Sequence, residues 1–434
     1  MLLFYAEKIT SRLKYTSRLI LSQLLGQQVR YTTDKEEYIQ STLPKINYSK
    51  TPIQSGIYIQ SANLLFETDI FEQDFSTAYH ESTPIFFLSG KQSNLPLDPF
   101  AASFYLLTRY EEYLPYIADE HGRFPARESL LFKLGKLHVP VVNVYARWIG
   151  ALLKKYYTQV DIKEPTYSFL NSIDVDNAYA YRGKGLFRAV GSYARDVLAF
   201  NFDEIKTRTQ VIFGRKPDPF ETFDYQLQLQ EKYGYNTIYF ALFARLGQFD
   251  RSLTMFSPLL HRYLKGINDF CEVGIHPSYR SNEHISYLQE ELEGLERILR
   301  IDVVKSRQHF LKLVFPKTYR NLMEMEITED YSMGFASETG FRAGICTPFR
   351  FYDLEQEIET PLTIYPFAVM DGTFIYYKKM GPKESLEEIK KYIDTYREFG
   401  GLFIPVWHNR VLSEKEPEWK GWNEVFEEMI KYAI

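Results

Sequence analysis

Asp174 and Asp176 stand two residues apart in SFLNSIDVDNAY (168–179), at the end of an apolar run that reads as a β-strand. Side chains alternate along a strand, so Ser172, Asp174 and Asp176 share one face while Phe169, Asn171 and Ile173 share the other. Two carboxylates converging at a strand end repel each other, and a metal ion or a cationic side chain between them removes that repulsion. The competing reading is a turn in which Asp176 caps the next helix. Of the eight histidines, His276, His309 and His408 fall at or near the ends of other strand-like segments. Carboxylates and imidazoles gathered at strand ends are the ligands and proton carriers of metal-assisted hydrolysis.

The elements that position these groups begin at Tyr167, where β-rich runs alternate with amphipathic helices. Strands are expected over 167–176, 236–244, 272–278, 303–310, 341–349, 362–370 and 402–409. Between them, Ile285, Leu288, Leu292, Leu295 and Ile298 recur at helical spacing over 284–299, and Ser385 with Glu388 reads as a capping box opening another helix. The alternation predicts an α/β domain over 161–434, built on parallel strands closed into a barrel, whose function gathers where strands end. The stretch of about 180–222 exceeds what a crossover needs and predicts a helical insertion near the mouth, serving as a lid or a partner surface. Residues 1–160 differ in pattern and predict a separate N-terminal α+β domain, with a boundary between Thr158 and Pro165. Within it, an amphipathic helix is expected over 1–26 and another over 98–115, after Asp98-Pro99.

Composition narrows the function. With 45% hydrophobic and 25% charged residues and a net charge of −5, the 434-residue chain has no basic excess for a phosphate backbone, which argues against nucleic acid. The 34 Tyr and 33 Phe suit sugar-binding grooves as well as cores. Cys271 and Cys346 lack metal-site spacing and read as buried thiols of a reducing compartment. With neither a secretory leader nor an apolar run long enough to span a bilayer, the expected location is the cytoplasm.

Four segments together resemble the polysaccharide deacetylases of the NodB-homology, carbohydrate esterase type. IDVD (173–176) resembles the first motif, VGIHPSYRSN (273–282) the second, SRQHF (306–310) the Arg-x-Pro-aromatic third and VWHN (406–409) the last. The resemblance covers about 167–434, and a bacterial subgroup with an extra N-terminal domain of unknown function extends it further. It implies a distorted (β/α) barrel of NodB-homology type. It also implies Asp174 as general base, Asp176 and His276 as ligands of a divalent metal (zinc, with cobalt or nickel as alternatives) and His408 as general acid. The second motif's further histidine is replaced by Arg280, so His309, standing where the third motif has proline, is the expected third ligand, with His284 as runner-up. Arg307 is expected to pair with Asp174, and Asp330 to orient His408, with Arg342 nearby. Asp371 reads as a turn residue. Tyr279, Tyr331, Trp407 and Phe349 are candidate walls of a sugar subsite. The implied activity removes an N-acetyl group from an amino sugar or glycan. The alternative is a carbohydrate-binding or scaffold protein that has lost its metal.

Overall fold

The computed structural model describes residues 1–53 and 55–434. All five residues of LLFYA are buried, and Leu2–Ala6 forms strand β1 rather than the start of an amphipathic helix. Apolar side chains on both faces need cover on both faces, which a central parallel strand provides. The helix expected over 1–26 is instead confined to Ser11–Arg18, where Thr10 Oγ1 accepts the Leu13 N–H, followed by one wider turn. With β2 (Val29–Thr32), β3 (Lys45–Ser49) and β4 (Ile57–Gln60), β1 forms an all-parallel sheet in the order β2-β1-β3-β4. Helices lie between β1 and β2 and between β2 and β3, whereas an α+β layout would segregate them from strands, and β5 (Thr77–His80) and β6 (Thr83–Phe86) pair as an antiparallel hairpin. The helix after Asp98 spans Pro99–Leu107, every residue of it buried, and stops at Arg109, whose φ of 54° breaks the helical path before 115.

The strand expected over 167–176 splits into β7 (Ser168–Phe169) and β8 (Asn171–Val175). Then follow β9 (Thr237–Ala241), β10 (Glu272–Ile275), β11 (Lys305–Ser306), β12 (Glu329–Asp330), β13 (Phe349–Asp353), β14 (Ile358–Ile364), β15 (Leu402–Phe403) and β16 (Val406–His408). An eight-stranded sheet runs in the order β13-β14-β12-β11-β10-β9-β8-β16, parallel throughout except for β13 against β14. Beyond β14, Met370 bridges in parallel to Val406, which lays the departing chain against the far edge strand β16. The strand expected over 341–349 is absent up to Phe349; the chain turns there, with Gly344 at a φ of 65°. Helices Leu186–Leu198 and Phe202–Ile212 occupy the long 180–222 stretch. The capping box at Ser385 does not form: that helix starts a turn earlier at Pro382, the Ser385 hydroxyl donates to the Gly381 carbonyl, and Glu388 pairs with Lys378. Among the described residues, no helix is long and apolar enough to cross a membrane.

One hydrophobic core runs through both parts of the chain, from Phe4 and Phe100 to Tyr352 and Trp422. A buried ionic cluster also joins them. Arg109 Nε and Arg342 Nη2 both bind Glu112, at 2.7 and 2.6 Å, and Arg109 Nη2 binds Glu111 at 2.7 Å. Arg342, expected near the catalytic groups, is therefore a structural link. Glu112→Ala leaves a buried guanidinium without its carboxylate, so we expect a loss of about 3 kcal/mol or more, read by chemical denaturation. An unchanged midpoint would refute the buried-pair account.

Candidate active site

Parallel pairing sets the site's geometry before any side chain is considered. His408 on β16 and Phe240 on β9 both lie in register with Asp174 on β8. Ile275 on β10 pairs with Ser306 on β11, so His276 and Arg307 leave their strands at one level. The residues named from the four motifs thus meet at the C-terminal end of the sheet. His309 arrives by a different route from the one expected. The strand ends at Ser306, and His309 sits on a tight helical turn in which Phe310 and Leu311 adopt positive φ values of 61° and 53°.

Asp176 stands at the centre. Among the described residues its Oδ1 is buried without a hydrogen-bond partner, 3.5 Å from His276 Nε2 and 3.8 Å from His309 Nε2. Its Oδ2 lies 3.8 Å from His408 Nε2 and 3.3 Å from Arg410 Nη2. Each imidazole is held from behind. His276 Nδ1 is 2.5 Å from the Arg307 carbonyl, His309 Nδ1 is 2.9 Å from Asp250, and His408 Nδ1 is 2.6 Å from Asp371. A carbonyl oxygen only accepts, so His276 donates from Nδ1, and its Nε2 faces Asp176.

This donor set fits a metal ion. Ligand atoms of Asp176, His276 and His309 lie within 4.8 Å of one another. A zinc-sized ion with bonds of about 2.1 Å sets tetrahedral ligand atoms roughly 3.4 Å apart, close to the spacing around the orphaned Asp176 Oδ1. Oxygen acceptors behind the histidines are the supporting contacts that metal-binding imidazoles require.

Burial opposes the charged form of Asp176, but the charges of His408 and Arg410 outweigh it and hold the carboxyl well below its usual range. Burial likewise works against protonated His408, yet Asp371 and Asp176 raise it to about 9. Arg307, fully buried, binds Asp174 Oδ1 through Nη1 at 2.8 Å and Ser172 Oγ through Nη2 at 2.9 Å. Asp174 Oδ2 is 3.9 Å from His276 Nε2, beside the candidate metal position.

Several expected neighbours lie elsewhere. Asp371, not Asp330, orients His408; Asp330 accepts from the Ser306 and Ser332 hydroxyls. Tyr331 stacks on Tyr365 and lines a groove with Leu170 and Glu272, away from the cleft. Trp407 packs against Trp422 and Phe426, and Phe349 is buried in β13. Tyr279 stands behind the cleft wall, against Phe249 and Phe310. Arg280 turns away to Tyr287, and His284 is exposed. In their place the cleft, about 310 Å³, is walled by Phe249, Phe310, Tyr376, Tyr377 and Arg123, the last from the N-terminal part of the chain. Arg123 binds Asp119 and the Phe310 carbonyl, each at 2.7 Å.

Behind Asp250, burial raises the Glu291 carboxyl from its ordinary 4.5 to about 8, although it accepts the Ser278 N–H at 3.0 Å. The folded chain therefore keeps this proton to higher pH than the unfolded chain. The neutral acid's contribution is complete below about pH 4.5 and is lost as pH climbs towards 8. Glu291→Gln keeps an acceptor but has no proton to lose, so thermal melts of this variant should fall less between about pH 5 and 8. Parallel profiles for wild type and variant would contradict this.

A family of unknown function, DUF7033, matches residues 2–158. No curated protein matches the chain in sequence. Among solved structures, the chain is similar to a protein from Mycobacterium smegmatis assigned to the polysaccharide deacetylases, at 14% identity and a TM-score of 0.41, covering 62% of this chain and 83% of that one. A probable polysaccharide deacetylase from Pseudomonas aeruginosa PAO1 aligns at 13% identity and a TM-score of 0.38, covering 62% and 84%. The Puue allantoinase aligns at 12% identity and a TM-score of 0.39, covering 62% and 83%.

Proposed function

We propose that the chain is a metal-dependent amide hydrolase that removes an N-acetyl group from an amino sugar or glycan. Residues 161–434 would form a distorted (β/α) barrel and residues 1–160 a second domain that shares its core and completes the cleft. The observation that carries this reading is the convergence of His276 and His309 on the orphaned Asp176 Oδ1, each with its far nitrogen held by an oxygen. Asp176, His276 and His309 would hold a divalent ion, zinc, cobalt or nickel, which when bound supplies the Lewis acidity that makes water a nucleophile near neutral pH. Asp174, fixed by Arg307, takes the attacking water's proton on Oδ2. His408, fixed by Asp371, presents Nε2 to the cleft and hands a proton to the departing amine nitrogen, giving acetate and a free amino group.

A second reading, a carbohydrate-binding protein without a metal, draws on Arg410, whose guanidinium already lies against Asp176. Elemental analysis of purified protein and acetate release from chitooligosaccharides separate the two. Bound metal at about one equivalent, with acetate release that a chelator stops, supports the hydrolase. Protein that cannot be loaded with zinc, cobalt or nickel leaves the binding reading.

A further inference from the structure

We propose that the cleft continues into an anion-binding subsite, formed by Lys184, Arg188, Arg251 and Arg410, that takes a phosphate or diphosphate group carried by the substrate. A second cavity, about 290 Å³, adjoins the cleft and shares Asn177, Arg251 and Arg410 with it. Three of the cations around it direct their hydrogen bonds to uncharged groups. Lys184 Nζ donates to Asn177 Oδ1 at 3.1 Å, Arg188 to the carbonyls of Arg251 and Ser252 at 3.1 and 3.4 Å, and Arg251 Nε to the Gln248 carbonyl at 2.9 Å. All of these acceptors are neutral. Among the described residues Arg410 Nε is buried without a hydrogen-bond partner, and its Nη2 lies 3.3 Å from Asp176 Oδ2.

Nearby carboxylates are committed elsewhere. Asp218 accepts the backbone N–H groups of Ala180, Tyr181, Arg182 and Phe220, while Asp196 and Glu204 are engaged by Arg208. Burial and the Arg188 charge push the Lys184 ammonium down to about 8, with Asp218 pulling the other way. Crowded like charges are costly until an oxyanion bridges them, and forked guanidiniums beside an ammonium match several phosphate oxygens at once. One carboxylate would neutralise too little of this charge, which favours phosphate. The assignment to the substrate rests on the cleft being catalytic; anion binding itself does not.

The test is calorimetric titration of the full chain, stripped of metal by chelation, with inorganic pyrophosphate and with glucuronate. Pyrophosphate is expected to bind, weakening with salt, and to bind about tenfold more weakly to Arg188→Ala and to Arg251→Ala. Both side chains are exposed, so these variants should fold. Uridine diphosphate and farnesyl diphosphate, titrated likewise, tell a nucleotide carrier from a lipid carrier, and tighter binding of either than of pyrophosphate supports the assignment. No pyrophosphate binding, binding indifferent to both variants, or glucuronate binding as tightly as pyrophosphate would overturn it. Because the metal is absent, failure of the hydrolase reading leaves this measurement intact. Conversely, chelator-sensitive acetate release without pyrophosphate binding defeats the subsite alone.

Discussion

Acetate release from chitooligosaccharides is expected to fall about a thousandfold in Asp174→Asn, with the metal retained. Asparagine keeps the shape of the side chain but cannot take a proton from water at neutral pH. Bound metal should persist because Asp176, His276 and His309 are untouched. A second effect follows from Arg307, which is fully buried and has Asp174 as its carboxylate partner. The amide oxygen of Asn preserves a hydrogen bond but no charge, so the variant should also lose stability, by up to about 3 kcal/mol. Activity, metal content and melting temperature measured on one preparation keep these effects apart. Wild-type activity in the variant would remove Asp174 from the base role, and loss of metal alongside activity would make it a ligand.

The larger expected effect on metal comes from the ligands themselves. Asp176→Ala and His309→Ala should each bring bound zinc from about one equivalent to a small fraction of it, because three protein ligands are the usual minimum for a catalytic ion. His284→Ala, at an exposed position, should bind as wild type does. Asp250→Ala should fall between them, with affinity weakened about 10–100-fold, because it frees the His309 ring without removing a ligand. Metal affinity in His309→Ala equal to that of wild type would return the search for a third ligand to other groups around Asp176.

What could be read from the sequence was local. Asp174, Asp176, His276 and His408 stand at or just beyond strand ends, and period-two alternation with an apolar approach reveals such positions without a structure. The same alternation argues against Trp407, which must point away from the face that His408 occupies; only its aromatic character suggested a sugar wall. Asp371 and Asp250 escaped because their partners lie 37 and 59 residues away and nothing periodic marks their loops. Asp371 followed by Gly372 has the chemistry of a turn, and the bridge from Met370 to Val406 brings it beneath His408. The strand end at 303–310 was misplaced because the positive φ angles of Phe310 and Leu311 override their β propensity. LLFYA was ambiguous in principle, since a short, wholly apolar run has no period to distinguish a buried strand from a helix.

Residue 307 serves the site twice, its guanidinium on Asp174 and its carbonyl on His276. A single backbone position therefore sets the spacing between Asp174 and His276, so the two cannot drift apart as surrounding loops change. The wall beside them comes partly from Arg123, in a distant stretch of chain. Under the proposed function, selectivity can then diverge through residues 119–123 while the proposed reacting centre stays fixed, so that specificity and reactivity are separately heritable.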